Sequence, residues 1–252
     1  NYEVDYKTKQ MHQKPEIIYQ DEWLVVAVKP VGVLTIPDRF DATKPNLQDA
    51  LAALFPRVWT VHRLDRETSG AIVFALHEDA HRSLSMQFEH RTVEKTYLAL
   101  TEGVPFPESG RIEQALAPHP GKPGQMMVVK KGKYALTDYR VQEAFRGYAL
   151  VEAQIHTGRT HQVRVHLAHI GHPLVADPLY GQGEALFLSQ IKSKNFRMGK
   201  LQEETPLLQR TALHAWRLAF DHPDTGERIT VDCPLPKDMK AAVNQLRKWR
   251  KA

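Results

Sequence analysis

Residues 62–70 read HRLDRETSG and stand between two apolar runs, Trp59-Thr60-Val61 before them and Ala71 to Leu76 after. Short apolar runs bounded by turn-forming residues mark buried strands, so the nine residues are predicted to form a loop joining two of them. One carboxylate, Asp65, lies in that loop between Arg63 and Arg66. Asp, Thr, Ser and Gly are also what a plain turn uses to satisfy its own backbone. Two readings therefore stand at this point. Either Asp65 accepts local N–H bonds, or it is held as the carboxylate by a positive field and presented to a substrate by a rigid sheet.

Around that loop the chain alternates strand and helix patterns. Glu16 to Tyr19 and Trp23 to Val28 are strand-like runs split by Gln20-Asp21-Glu22, and Lys29-Pro30-Val31-Gly32 ends the second with a rigid turn. Leu47, Ala50, Leu51 and Leu54 predict a short helix over 46–55, and Ala80, Leu84 and Phe88 a second over 78–90. Thr92 to Leu100 alternates as a strand and carries Tyr97. Tyr134 to Phe145 and Tyr148 to Ile155, divided by Arg146-Gly147, predict an antiparallel hairpin. Leu213 to Phe220 and Glu227 to Val231 predict two further strands, and residues 236–249 a last helix with Met239, Val243 and Leu246 on one face. Two stretches lack periodicity. Residues 104–124, with five prolines and three glycines, are predicted to be mainly loop, and 182–209, polar and basic, a surface insertion.

No break resembles a linker, so an N-terminal extension over 1–15 and a single domain over 16–252 are expected. No segment approaches the roughly 18 apolar residues of a membrane span. The polar start NYEVDYKTKQ lacks a signal-peptide pattern, and the absence of an initiator Met points to a trimmed start. A single cysteine, Cys233, excludes an internal disulfide framework and a cysteine zinc cluster, and fits a reducing, cytoplasmic compartment. The net charge of +5 would suit a polyanion if the charges share a face. Three basic clusters could supply such a face: Lys130, Lys131 and Lys133; Lys192, Lys194, Arg197 and Lys200; Arg247, Lys248, Arg250 and Lys251. Solvated faces and helix C-termini carry the same residues. Neither G-x-x-x-x-G-K-[ST] nor a strand followed by G-x-G-x-x-G is present, which leaves phosphate and dinucleotide cradles unsupported.

The second informative stretch begins at Thr157-Gly158-Arg159-Thr160, a turn in which Thr160 is the expected N-cap of a helix from His161 to about Ile170, ending at Gly171. On that helix Val163, Leu167 and Ile170 face inward, while Arg164 lies away from the stripe and is expected to reach out towards a site. His156, His161, His166, His169 and His172 fall within seventeen residues, and His166 and His169 stand one turn apart, as metal ligands can. His161 and His166 diverge on a helix, however, and no carboxylate lies close by in sequence, so capping, packing or phosphate contact is the expected role.

HRLDRETSG at 62–70, EKTYLAL at 94–100, TGRTHQVRVHLAHIGHPLVADPLYG at 157–181 and LHA at 213–215 occur in the order and spacing of the RluA-type pseudouridine synthases. The Lys29-Pro30-Val31-Gly32 turn is similar to that family's first motif, and the resemblance covers about residues 16–235. It implies an α+β fold with a mixed, mostly antiparallel central sheet, flanking helices and loops, and a catalytic cleft across the sheet. It also implies isomerisation of uridine to pseudouridine in structured RNA, ribosomal or transfer, without cofactor or metal. By the same resemblance Asp65 is the catalytic carboxylate, Tyr97 stacks on the target base and takes part in removing its C5 proton, and Arg164 pairs with the carboxylate. Arg63, which helps hold the flipped base, Arg66, Arg159 and His161 are the implied substrate-binding residues. Many relatives carry a small N-terminal RNA-binding domain, whereas strand one here is expected by about Glu16. Target choice is then expected from loops such as 104–133 and 182–209, in a monomer. Two other readings stay open: an RNA-binding or RNA-folding protein on the same scaffold, and a histidine-rich metal hydrolase.

Overall fold

The computed structural model describes residues 14–192 and 204–252. The chain divides into two compact units, one running up to Val93 and taking in Arg217–Cys233, the other made of Glu94–Trp216 and Pro234–Ala252.

In the first unit, β1 (Ile17–Gln20) and β2 (Leu24–Lys29) form a hairpin. Its turn is closed by Asp21, whose Oδ1 accepts from the N–H groups of Trp23 and Leu24 at 2.7 and 2.9 Å. Helix α1 (Leu47–Ala52) starts at Asn46, whose side chain accepts from Asp49 N at 2.9 Å in the usual N-cap manner. The short strand β3 (Trp59–Thr60) and β2 both pair antiparallel with β4 (Ser69–Ala75). All seven residues of β4 are buried, which is why its sequence is an apolar run without alternation. Helix α2 (Glu78–Glu89) lays Ala80, Leu84 and Phe88 on a core with Leu24, Val26 and Val73.

The second unit is built on β5 (Glu94–Glu102), β6 (Ser109–Glu113), β7 (Leu116–Pro118), β8 (Met126–Val128), β9 (Leu136–Phe145) and β10 (Tyr148–Ile155). Four of these make an antiparallel sheet in the order β5-β10-β9-β6, and β7 and β8 pair as a separate hairpin. The β9–β10 connection is tight because Gly147 takes a φ of +84°. Helices α3 (Gln162–His169) and α4 (Leu188–Lys192) follow. Strand β11 (Leu213–Asp221) then carries the chain back to the first unit, where β12 (Arg228–Asp232) pairs with it from Arg217↔Asp232 to Asp221↔Arg228. Cys233 beside it is buried, its thiol pushed up to about 12 by desolvation. Helix α5 (Lys237–Trp249) belongs to the second unit and buries Met239, Ala242, Val243 and Leu246, one face at helical spacing.

The architecture is the expected α+β one, with antiparallel ladders and few helices. Several local expectations are refined. Residues 104–124 lie mainly outside strands, as expected, but they also hold β6 and β7, whose partners lie beyond the stretch in β9 and β8. The 182–209 segment is more than a surface insertion: Leu186 bridges Leu208, and both are buried with Ile191 in the α5 core. Lys194, Arg197 and Lys200 fall outside the described residues. Among the described residues, no helix is long and apolar enough to cross a membrane.

Candidate active site

In the first unit the residues around Asp65 are fixed through their backbone. Lys29, at the end of β2, is fully buried, and its Nζ donates to the carbonyls of Pro30 (2.9 Å), Val33 (2.7 Å) and Arg66 (3.0 Å). The Arg66 carbonyl also accepts from Gly32 N at 2.9 Å, and Arg66 Nε donates to Gly32 O at 3.2 Å. Gly32 has a φ of +78°, so the Lys29-Pro30-Val31-Gly32 turn closes on the loop with a left-handed residue. On the other side of Asp65, Leu64 N donates to Thr35 Oγ1 and Thr35 Oγ1 donates to Leu64 O, both at 3.2 Å. Thr68 N donates to the Asp65 carbonyl at 3.0 Å. His62 accepts from Val73 N through Nε2 at 3.1 Å and stacks on Phe88. The chain is thus held on both sides of a half-buried Asp65, with Arg63 and Arg66 exposed beside it. Lys29→Met should cost at least about 1–3 kcal/mol by orphaning buried carbonyls. A urea midpoint equal to wild type would refute that anchoring.

In the second unit Tyr97 stands half-buried on β5, opposite Ala153 of β10. Arg164 is buried in α3 and forks onto Asp177, which is fully buried: Nε donates to Oδ2 and Nη2 to Oδ1, each at 2.7 Å. Asp177 Oδ1 accepts in addition from Leu179 N at 3.0 Å and Tyr180 N at 3.2 Å. Arg164 does reach away from the Val163–Leu167 stripe, to the turn that carries Asp177, and it does so buried, as Gln162 to Leu167 all are. Thr160 is not the N-cap. His161 holds that position with a φ of +56° and makes no side-chain cap bond. Gln162, the first helical residue, instead ties the preceding turn to the helix: its Oε1 accepts from Thr157 Oγ1 at 2.6 Å and Arg159 N at 3.1 Å. Arg159 is tied down by Nε donating to Tyr134 O at 2.9 Å.

The histidines have individual partners. His156 pairs with Asp138 at 2.7 Å, whose carboxyl is held at about 2, chiefly by Arg111. His161 Nδ1 meets Tyr180 Oη at 2.8 Å. His166 is buried with Nε2 on the Gln114 carbonyl (3.0 Å) and Nδ1 on Thr137 Oγ1 (2.9 Å). A carbonyl only accepts, so Nε2 carries the proton and Nδ1 accepts from Thr137. That hydroxyl accepts in turn from Gln162 Nε2 at 3.0 Å. Burial lowers the His166 pKa. The unfolded chain takes up that proton near pH 6.5 while the folded chain resists it, so this contribution is whole above about pH 6.5 and is lost as pH falls through the depressed folded value. The thermal midpoint should therefore drop between about pH 7 and pH 5, above the range where carboxylates titrate. The drop should be mostly absent in His166→Gln; an equal drop in the variant assigns it elsewhere.

The sequence reading missed Lys29 as an anchor and both Asp177 and Tyr180. Their signal was an acid directly after the apolar Leu174-Val175-Ala176, a context in which a carboxylate stays charged only with a partner.

A sequence profile described as RNA pseudouridylate synthase matches residues 23–169. Ribosomal large subunit pseudouridine synthase D of Neisseria meningitidis serogroup B is 37% identical over 238 residues, which are 92% of this chain and 61% of that protein. The protein of the same name from Pseudomonas aeruginosa is 38% identical over 248 residues, 94% of this chain and 73% of that one. Among solved structures, human RNA pseudouridylate synthase domain containing 4 superposes with a TM-score of 0.70 at 26% identity, covering 98% of this chain and 96% of that one. The chain belongs to the RNA pseudouridylate synthase family, as its motifs at 62–70, 94–100 and 157–181 predicted. It spans about three fifths of the length of the Neisseria relative.

Proposed function

We propose that this chain isomerises uridine to pseudouridine in structured RNA, using Asp65, Tyr97 and Arg164. The observation that carries the reading is the family match over 23–169, which takes in the anchored Asp65 loop, Tyr97 and Arg164. In the reaction the bond from N1 of uracil to the anomeric carbon breaks, a bond from C5 to that carbon forms, and the C5 proton leaves as N1 gains one. Asp65 supplies a negative oxygen for the electron-poor carbon that appears when the glycosidic bond breaks. Tyr97 offers an aromatic face to the uracil, a contact worth about 1–3 kcal/mol per base. The target must leave its stack first, and exposed Arg63 is the residue proposed to hold the flipped state. The names of the curated relatives favour ribosomal RNA over transfer RNA as the first substrate to try.

Lys122, Lys130, Lys131 and Lys133 are exposed around the β7–β8 hairpin and are the proposed phosphate contacts there. RNA affinity should weaken with salt by a log–log slope of about −0.7 to −0.9 per phosphate neutralised, and replacing all four by Gln should flatten it by about 3. Filter binding at several salt concentrations checks this, and a slope unchanged in the variant removes the hairpin from the RNA surface.

The test of the reaction is total RNA carrying tritium at C5 of uridine, incubated with the protein. Release of tritium into water supports isomerisation, and mapping the modified position would identify the RNA. Tight RNA binding with no release, including on RNA from cells lacking the protein, would favour an RNA-binding or RNA-folding role instead.

A further inference from the structure

Arg164 is held by more than its carboxylate. Its guanidinium lies over the ring of Tyr180, 5.0 Å from the centroid, and Tyr180 N is one of the donors to Asp177. The Tyr180 hydroxyl accepts from Met126 N of β8 at 2.7 Å and stands 2.8 Å from His161 Nδ1, so its own proton can go to that nitrogen. One side chain therefore joins the residue that starts α3, the guanidinium one turn along, the turn that carries Asp177, and the β7–β8 hairpin. The backbone is strained on both sides of this cluster: His161 and Ala176 take φ values of +56° and +55°, a left-handed conformation that L-residues rarely adopt. Strain of this kind persists where surrounding contacts over-determine the geometry. The turn also closes tightly, since a Cβ at Gly181 would lie 2.8 Å from the carbonyl oxygens of both Leu174 and Asp177.

We infer that Tyr180 is the positioning residue for Arg164, and that its hydroxyl ties the seating of the β7–β8 hairpin to the orientation of the guanidinium. The inference rests on the catalytic role proposed for Arg164. Asp177 fixes where the fork sits, the Tyr180 ring fixes the tilt of its plane, and the hydroxyl fixes the ring. Tyr180→Phe keeps the aromatic face and removes only the last of these constraints, letting the plane rotate. A displacement of about 1 Å at a reacting group can cost about 10²-fold.

The test is single-turnover tritium release by Tyr180→Phe, Arg164→Lys and the double variant, with RNA affinity and thermal midpoint measured on each. Lysine keeps the charge but lacks the planar fork that the ring and Asp177 orient. Tyr180→Phe should fold, bind RNA within about twofold of wild type, and react about ten- to a hundredfold more slowly. Added to Arg164→Lys it should slow the reaction no further, because residues that act through one another are not additive. Losses that multiply in the double variant would overturn the inference, as would a wild-type rate in Tyr180→Phe. Arg164→Lys reacting at the wild-type rate would instead remove the catalytic role of Arg164, and the inference with it. Should Tyr180→Phe fail to fold, His161→Ala, which takes away one partner of the hydroxyl and leaves the ring, carries the same rate comparison at saturating RNA, where a loss of binding at His161 itself does not enter.

Discussion

Asp65→Asn should fold and bind RNA as the wild type does and release tritium at least about 10³-fold more slowly. The substitution keeps the size and shape of the side chain and removes its charge and nucleophilic oxygen. The stability half of the expectation follows from how the loop is held. The bonds on either side of Asp65 come from Lys29, Gly32 and Thr35, and Thr68 bonds to the residue's backbone carbonyl rather than its carboxylate. An Asn at 65 keeps all of these backbone bonds, so the loop should still form and the variant should still unfold in a cooperative urea transition. Turnover within tenfold of wild type would remove Asp65 from the chemistry. Loss of the cooperative transition would instead show that the carboxylate is needed for the fold, the reading in which Asp65 is a structural residue.

How far such roles can be read from the sequence depends on how local their physics is. The Asp65 loop was legible because the apolar run after it becomes the fully buried strand Ser69–Ala75, while the run before it yields only the short, half-buried β3. The hairpin of β9 and β10 was legible from Arg146-Gly147 and the runs beside it. Strands β6 and β7 were not, since each is short, one holds Gly110 and the other ends at Pro118, and their bonding partners lie outside the proline-rich stretch. Helix α3 shows what a helical wheel leaves out. The wheel puts Val163, Leu167 and Ile170 on one side and Arg164 on another, but does not show the partner that Arg164 takes. Asp177, thirteen residues on in a turn, offers a buried carboxylate that makes burying an arginine tolerable. Likewise Thr160 has the composition of an N-cap, but His161 takes that position, and Gln162, reaching back to Thr157 and Arg159, fixes the turn before the helix. Side chains satisfied by residues far along the chain leave little local trace.

Arg164→Ala should destabilise the protein by about 3–5 kcal/mol, the cost of leaving one member of a buried ion pair behind. Without the guanidinium, Asp177 keeps the N–H groups of Leu179 and Tyr180 as donors but loses the two bonds that balance its charge. Activity would fall as well, but a destabilised variant says little about chemistry, so the informative experiment replaces both partners. Exchanging a buried ion pair for apolar side chains of similar size is often neutral or stabilising, since two desolvated charges leave together. Arg164→Met with Asp177→Asn, whose uncharged side-chain oxygen can still accept from Leu179 N and Tyr180 N, should therefore regain most of the lost stability in urea titration while tritium release stays at the level of Arg164→Ala. That combination would separate the two roles: the fork is dispensable for folding once its charge is removed as a pair, and the guanidinium is still required for the reaction. If stability and turnover returned together, Arg164 would be a structural residue, and any positive charge the reaction needs would have to come from another group.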